Sequence, residues 1–196
     1  MRKTKMLAVI VMMMIALGAC KKDKGSDKKE EGEGQLVYDG NKYSIKKGLI
    51  WDYGDMIYST HYSQSYFLKN GSEFASWGEH SLGPDDAPIT LFYMLSSPGT
   101  AQFKNGTFKA YYNVNYADWQ INGLPDNMKN EYLLTSGYVG YDANGDRKIS
   151  TNETFNVVGG TLTVTDSYTE YNLELENGKK VTGRNTAALT KTLPPV

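Results

Sequence analysis

The chain has 196 residues, a formal net charge of −1 and one cysteine. That length supplies one domain and a short leader, and a single thiol excludes both a disulfide framework and a paired-cysteine zinc site. Near-neutral charge with no basic stripe excludes a nucleic-acid partner, which would need many phosphates neutralised.

Arg2, Lys3 and Lys5 precede an apolar run from Met6 to Leu17. The run is about a dozen residues long, too short to span a hydrocarbon core and right for the central region of a signal peptide. Leu17-Gly18-Ala19-Cys20 follows directly. These four residues resemble the lipobox of bacterial lipoproteins. The resemblance implies that residues 1–19 are a signal peptide, that cleavage falls before Cys20, and that acylation of Cys20 keeps the mature chain at a membrane. Loss of the three basic residues leaves that chain at about −4.

Residues 20–34 hold the cysteine and a tether. KKDKGSDKKEEGEG contains no apolar residue, so it has nothing to bury and stays solvated. Lys29-Glu30-Glu31 is similar to the acid-rich export signals of bacteroidete surface lipoproteins. The expected address is the outer membrane, with display on the outer surface if the segment is such a signal and a periplasmic position if it is a plain spacer.

In residues 35–196 the apolar period is two. Tyr43, Ile45, Leu49, Trp51 and Tyr53 share one parity, which predicts a half-buried strand or a bent strand pair around Gly48. Tyr58, Tyr62, Tyr66 and Leu68 repeat the rule, as do Phe108, Ala110, Tyr112, Val114 and Tyr116. Ile89 to Leu95 is almost continuously apolar, as in a strand covered on both faces. Asp126 to Leu134 predicts one short helix with Gly137 as its stop. Tyr171, Leu173 and Leu175 alternate with Glu170, Asn172, Glu174 and Glu176, giving a strand with one dry and one wet face. Asn177-Gly178 predicts a type I′ hairpin turn, and Gly40-Asn41, Asn70-Gly71, Asn105-Gly106 and Asn144-Gly145 punctuate the chain in the same way. The sum is an all-β domain, a single antiparallel sandwich or partly open barrel with at most one short helix. Gly159 to Leu189 resembles the closing hairpins of small β-rich bacteroidete lipoproteins, which implies the same fold class.

One segment has the spacing of a metal loop. Asp142, Asn144, Asp146, Ser150 and Glu153 place oxygen side chains at positions one, three, five, nine and twelve, with Ile149 at the eighth. Calcium takes six to eight oxygens, and this spacing lets a short loop wrap it. The segment resembles the calcium loops of EF-hand and dockerin proteins. That resemblance implies Asp142, Asn144 and Asp146 as side-chain ligands, the Lys148 backbone carbonyl, Ser150 directly or through water, and bidentate Glu153. Two features depart from it. Arg147 stands where glycine is usual, and Gly137 to Tyr141 and Phe155 to Val158 read as strands rather than helices. The alternative is a plain solvated hairpin tip with Asn144-Gly145 as its turn.

His61 falls within a strand pattern and is expected at the surface or an edge. His80 lies beside Glu79, Asp85 and Asp86 in a polar loop whose spacing matches no helix-based zinc motif. No nucleophile elbow or phosphate loop occurs in the sequence. The long loop from Lys69 to Pro88 carries Phe74 and Trp77, and Trp119 sits in a similar setting. Such aromatics either stack on a glycan ring or a protein pocket, or cap the core. The expected function is therefore a lipid-anchored envelope protein with a non-catalytic binding or accessory role. Its partners are the membrane, through the anchor, and a glycan or envelope protein, with calcium as the cofactor. A lipocalin-like carrier of a small apolar ligand is the first alternative, with Tyr58, Tyr62, Tyr66 and Tyr112 lining a void. An envelope hydrolase with two close carboxylates is the second.

Overall fold

The structure is a computed structural model describing residues 34–69, 80–84, 86–111, 118–119, 123–187 and 189–194. The readings on the signal peptide, Cys20, the tether, Phe74, Trp77, Tyr112, Val114 and Tyr116 lie outside these residues. The described strands are β1 (Gly34–Tyr38), β2 (Asn41–Ile45), β3 (Lys47–Tyr58), β4 (His61–Lys69), β5 (His80–Ser81), β6 (Ile89–Pro98), β7 (Gly106–Ala110), β8 (Leu133–Tyr141), β9 (Lys148–Ile149), β10 (Thr154–Val164), β11 (Thr169–Leu175), β12 (Lys180–Asn185) and β13 (Leu189–Thr192).

The fold is all-β, one large sheet curled into a half-barrel, and no described helix reaches seven residues. The sheet order is β13-β3-β4-β6-β8-β7-β10-β11-β12-β1-β2, and β5 with β9 forms a separate two-stranded ladder. Pairing is antiparallel except at β3–β13 and at the short β7–β8 contact. Only Lys46 separates β2 from β3. One bent strand thus supplies both an end of the sheet order and its second position, which ties the two ends of the curl together.

That bend breaks the single parity expected from Tyr43 to Tyr53. Tyr43, Ile45 and Ile50 all pack into the interior cluster, whereas Trp51 meets Phe67 edge-on at 4.5 Å outside it. Lys46 belongs to neither the β1–β2 nor the β3–β4 ladder, so the alternation restarts beyond it. β6 is buried on both faces, as its sequence predicts. Ile89, Leu91, Tyr93 and Leu95 point into the interior cluster, while Phe92 lies outside it between Phe67 at 4.6 Å and Tyr138 at 4.9 Å. β11 alternates strictly between buried and exposed residues, which is the dry and wet pattern of its sequence.

Turn chemistry is partly redistributed. Asp39 and Gly40 both take positive φ, 51° and 78°, joining β1 to β2 through a two-residue turn of the I′ kind. At Asn177-Gly178 only Gly178 does, with φ 79°. Leu175 closes that hairpin by donating to Lys179 O and accepting from Gly178 N, each at 2.9 Å, which makes a three-residue loop with glycine in the left-handed position. The Asn177 side-chain Oδ1 accepts from Lys179 N at 3.0 Å, which keeps Asn177 out of the role a I′ turn would give it. The helix expected over Asp126–Leu134 is a single 3-10 turn at Asp126–Met128. Leu133 and Leu134 instead pair with Ser96 and Leu95 of β6, because burial in the sheet outweighs local helix preference.

Candidate functional site

The segment Asp142–Glu153 leaves the end of β8 and returns at the start of β10, and both ends are fixed. Tyr141 packs against Tyr38 at 5.1 Å and Tyr43 at 6.2 Å, while Asp142 N donates to Pro88 O at 2.9 Å. At the far end Thr154 pairs with Gly140, and its hydroxyl donates to Ser150 O at 3.1 Å. The middle is pinned from below. Ile149 is fully buried and lies over Gly140, where a Cβ would sit 2.7 Å from the Ile149 Cγ2 and 2.9 Å from Thr90 Oγ1. Glycine at 140 leaves the space that Ile149 fills.

Between these anchors residues 143–148 are exposed, and side-chain oxygens hold the backbone. Asp142 accepts from Gly145 N at 2.7 Å and Arg147 N at 3.0 Å. Asn144 accepts from Asp146 N at 2.7 Å, and Asp146 from Lys148 N at 2.9 Å. Glu153 closes the loop by accepting from Ala143 N at 3.1 Å, Ser150 N at 3.1 Å and the Ser150 hydroxyl at 2.7 Å. Gly145 and Arg147 both take positive φ, 77° and 64°. Arg147 therefore adopts the left-handed turn for which the sixth position of such loops uses glycine. The Ser150 hydroxyl and amide, with further help from the Ala143 and Asn144 amides, hold the Glu153 carboxyl below its ordinary value despite partial desolvation.

The structure thus brings Asp142, Asn144, Asp146, Lys148, Ser150 and Glu153 into one closed loop. Among the described residues no three His, Cys, Asp or Glu side chains form a metal-holding group; the loop carboxylates face the loop's own amides. A carboxylate oxygen has two acceptor sites, so the Asp142 oxygens, each taking one amide proton, retain a lone pair for a cation. Glu153 Oε2 instead takes both the Ser150 amide and hydroxyl, and frees a lone pair only when that hydroxyl donates to Asn152 Oδ1, 2.6 Å away. The donors are all hard oxygens, which suit calcium and magnesium rather than zinc or copper.

Sequence reasoning missed the elements that support this loop. β9 within it pairs with β5, His80 opposite Ile149 and Ser81 opposite Lys148. The Arg147 guanidinium donates to Gly83 O, and Leu82 N donates to Arg147 O at 2.7 Å. Two-residue strands carry no period, so the only usable signal was Gly140 inside a strand pattern, a mark of close approach.

The other candidates are placed apart from the loop. Trp119 is buried, edge-on to Tyr58 at 6.4 Å, in a second cluster with Leu124 and Leu133. Tyr66 stacks on Tyr93 at 5.0 Å within the interior cluster. His61 is fully buried rather than at the surface, because β4 starts beneath the chain at Glu131. Its Nε2 is 3.0 Å from Glu131 O and its Nδ1 3.0 Å from the Thr60 hydroxyl. A carbonyl only accepts, so Nε2 carries the proton and Nδ1 accepts from Thr60.

Burial pushes the His61 imidazole below its usual pKa, against a smaller opposing effect of the Glu131 carbonyl. A depressed folded value means that acid favours the unfolded chain. The His61 contribution to stability is complete above about pH 6.5 and is lost as pH falls through the folded value. Urea midpoints measured from pH 7.5 to 5 are expected to decline below about 6.5 and to flatten in His61→Gln; identical curves for the two proteins would refute this.

No family model matches the chain, and no curated protein and no solved structure matches it.

Proposed function

We propose that this is a lipid-anchored outer-membrane protein whose half-barrel serves as a non-catalytic binding module, with Asp142–Glu153 holding a calcium ion. The observation that carries the ion is Arg147. At the sixth position it takes φ 64°, the left-handed turn that calcium loops place there, at a cost of about 1–2 kcal/mol for a non-glycine residue, and its amide donates to Asp142 at position one at 3.0 Å. Asp142, Asn144, Asp146, the Lys148 carbonyl, Ser150 and Glu153 would hold the ion, whose role is to fix the loop and supply a local positive charge. The solid packing of Tyr58 and Tyr66 supports a filled module over a carrier built around a void.

A calorimetric titration of calcium into the full-length protein in detergent tests the ion reading. Saturable binding that disappears in Asp142→Ala is expected, and a flat titration of the wild type would remove the site. The anchor rests on Cys20 and is tested separately. Cys20→Ser is expected to move most of the protein from the membrane to the soluble fraction and to abolish labelling by a fatty-acid probe; unchanged fractionation and labelling would refute it.

A further inference from the structure

We propose that the ion loop and the segment 80–84 form one coupled unit, so that filling the loop fixes the docking of β5 on the barrel wall. This rests on the reading of Asp142–Glu153 as a calcium loop. The observation behind it is that the same three consecutive residues serve both sides. Arg147, Lys148 and Ile149 occupy positions six to eight of the loop, where Arg147 carries the left-handed turn and Lys148 offers the carbonyl expected to face the ion. These three are also the partners of the other segment. Ile149 pairs with His80, Lys148 with Ser81, Arg147 O accepts from Leu82 N at 2.7 Å, and the Arg147 guanidinium donates to Gly83 O.

The β5–β9 ladder has two residues on each side. A ladder that short does not hold itself together in water, so its population depends on whether Arg147–Ile149 is already shaped to receive it. An ion that restrains those residues lowers the cost of docking, and by reciprocity docking favours the ion. The effect continues inward. Gly83 N donates to Asp86 Oδ2 at 2.6 Å, and the same Asp86 oxygen lies 3.7 Å from Lys69 Nζ at the end of β4 in a fully buried pair. The ion loop is thereby connected, through Gly83 and Asp86, to the last residue of β4.

Hydrogen exchange of the full-length protein in calcium chloride and in chelator tests this, read on peptides spanning residues 80–84. Exchange of the Leu82 amide is expected to slow about tenfold or more with calcium, as for a locally opening segment drawn toward the closed state. Asp142→Ala is expected to remove the difference. R147G keeps the left-handed turn while deleting the guanidinium, and is expected to retain calcium binding with a smaller gain in protection; an equal gain would overturn the role given to that side chain. Calcium binding by calorimetry with unchanged exchange over 80–84 would overturn the coupling while leaving the ion site standing. Absence of binding would remove the ion site and the coupling together.

Discussion

Calcium is expected to raise the melting temperature of the wild-type protein by about 5–10 °C and to leave Asp142→Ala and Glu153→Ala unchanged. A ligand that binds only the folded state stabilises it by about 2.7 kcal/mol at one hundred times its dissociation constant. Each kcal/mol is worth about 2–4 °C in a domain of this size. The two variants attack the loop from opposite ends. Asp142 holds the amides of Gly145 and Arg147, while Glu153 ties the start of the loop to Ser150 through the Ala143 amide. A rise retained in both variants would place any calcium elsewhere on the molecule. The pH dependence has a definite sign. Because its Ser150 contacts hold Glu153 below the usual carboxylate value, Glu153 keeps its charge into mildly acidic pH, and the calcium shift is expected to shrink as stronger acid protonates the loop carboxylates.

What the sequence made legible was whatever repeats along one element. The alternation of β11, the doubly buried run of β6 and the strands flanking Asp142–Glu153 are visible because each strand's surroundings are uniform along its length. The oxygen spacing of the loop was legible for the same reason, since its closing contacts are local. Features set by distant partners were not. Lys46 resembles any surface lysine, yet dropping out of both ladders turns the following residues over. His61 reads as a polar residue on a strand until the chain at Glu131 covers it. Arg147 looked like a mismatch to a calcium loop, whereas the backbone there adopts the glycine-type turn, with Asp142 holding its amide and Leu82 its carbonyl. A sequence pattern records residue type, but neighbouring elements also decide which conformation is imposed on it.

Gly160→Ala is expected to be the most damaging single substitution of the pair at the β10 bulge, costing about 4 kcal/mol or more, while Gly159→Ala costs about 1 kcal/mol or less. β10 changes partner along its length. Thr154 to Asn156 pair with β8, and Thr161 to Val164 pair with β7, which wedges in beside Leu133 and Leu134 where the two longer strands diverge. The register with β11 slips between Val157 and Gly159 at the same place. Gly160 sits at φ 97°, a conformation strained for any residue with a Cβ. A Cβ there would also collide with the Asn172 carbonyl oxygen and lie 2.8 Å from Leu173 Cα. Both obstacles are backbone of the neighbouring strand, so relief would mean separating β10 from β11. At Gly159 the nearest obstacle is the end of the Glu174 side chain, 2.9 Å away, which can swing aside. Urea denaturation of the two variants decides the matter. Equal losses would mean that the bulge is not the point at which the half-barrel turns from β8 to β7, and an unfolded Gly160→Ala beside a near-native Gly159→Ala would place that turn at a single left-handed glycine.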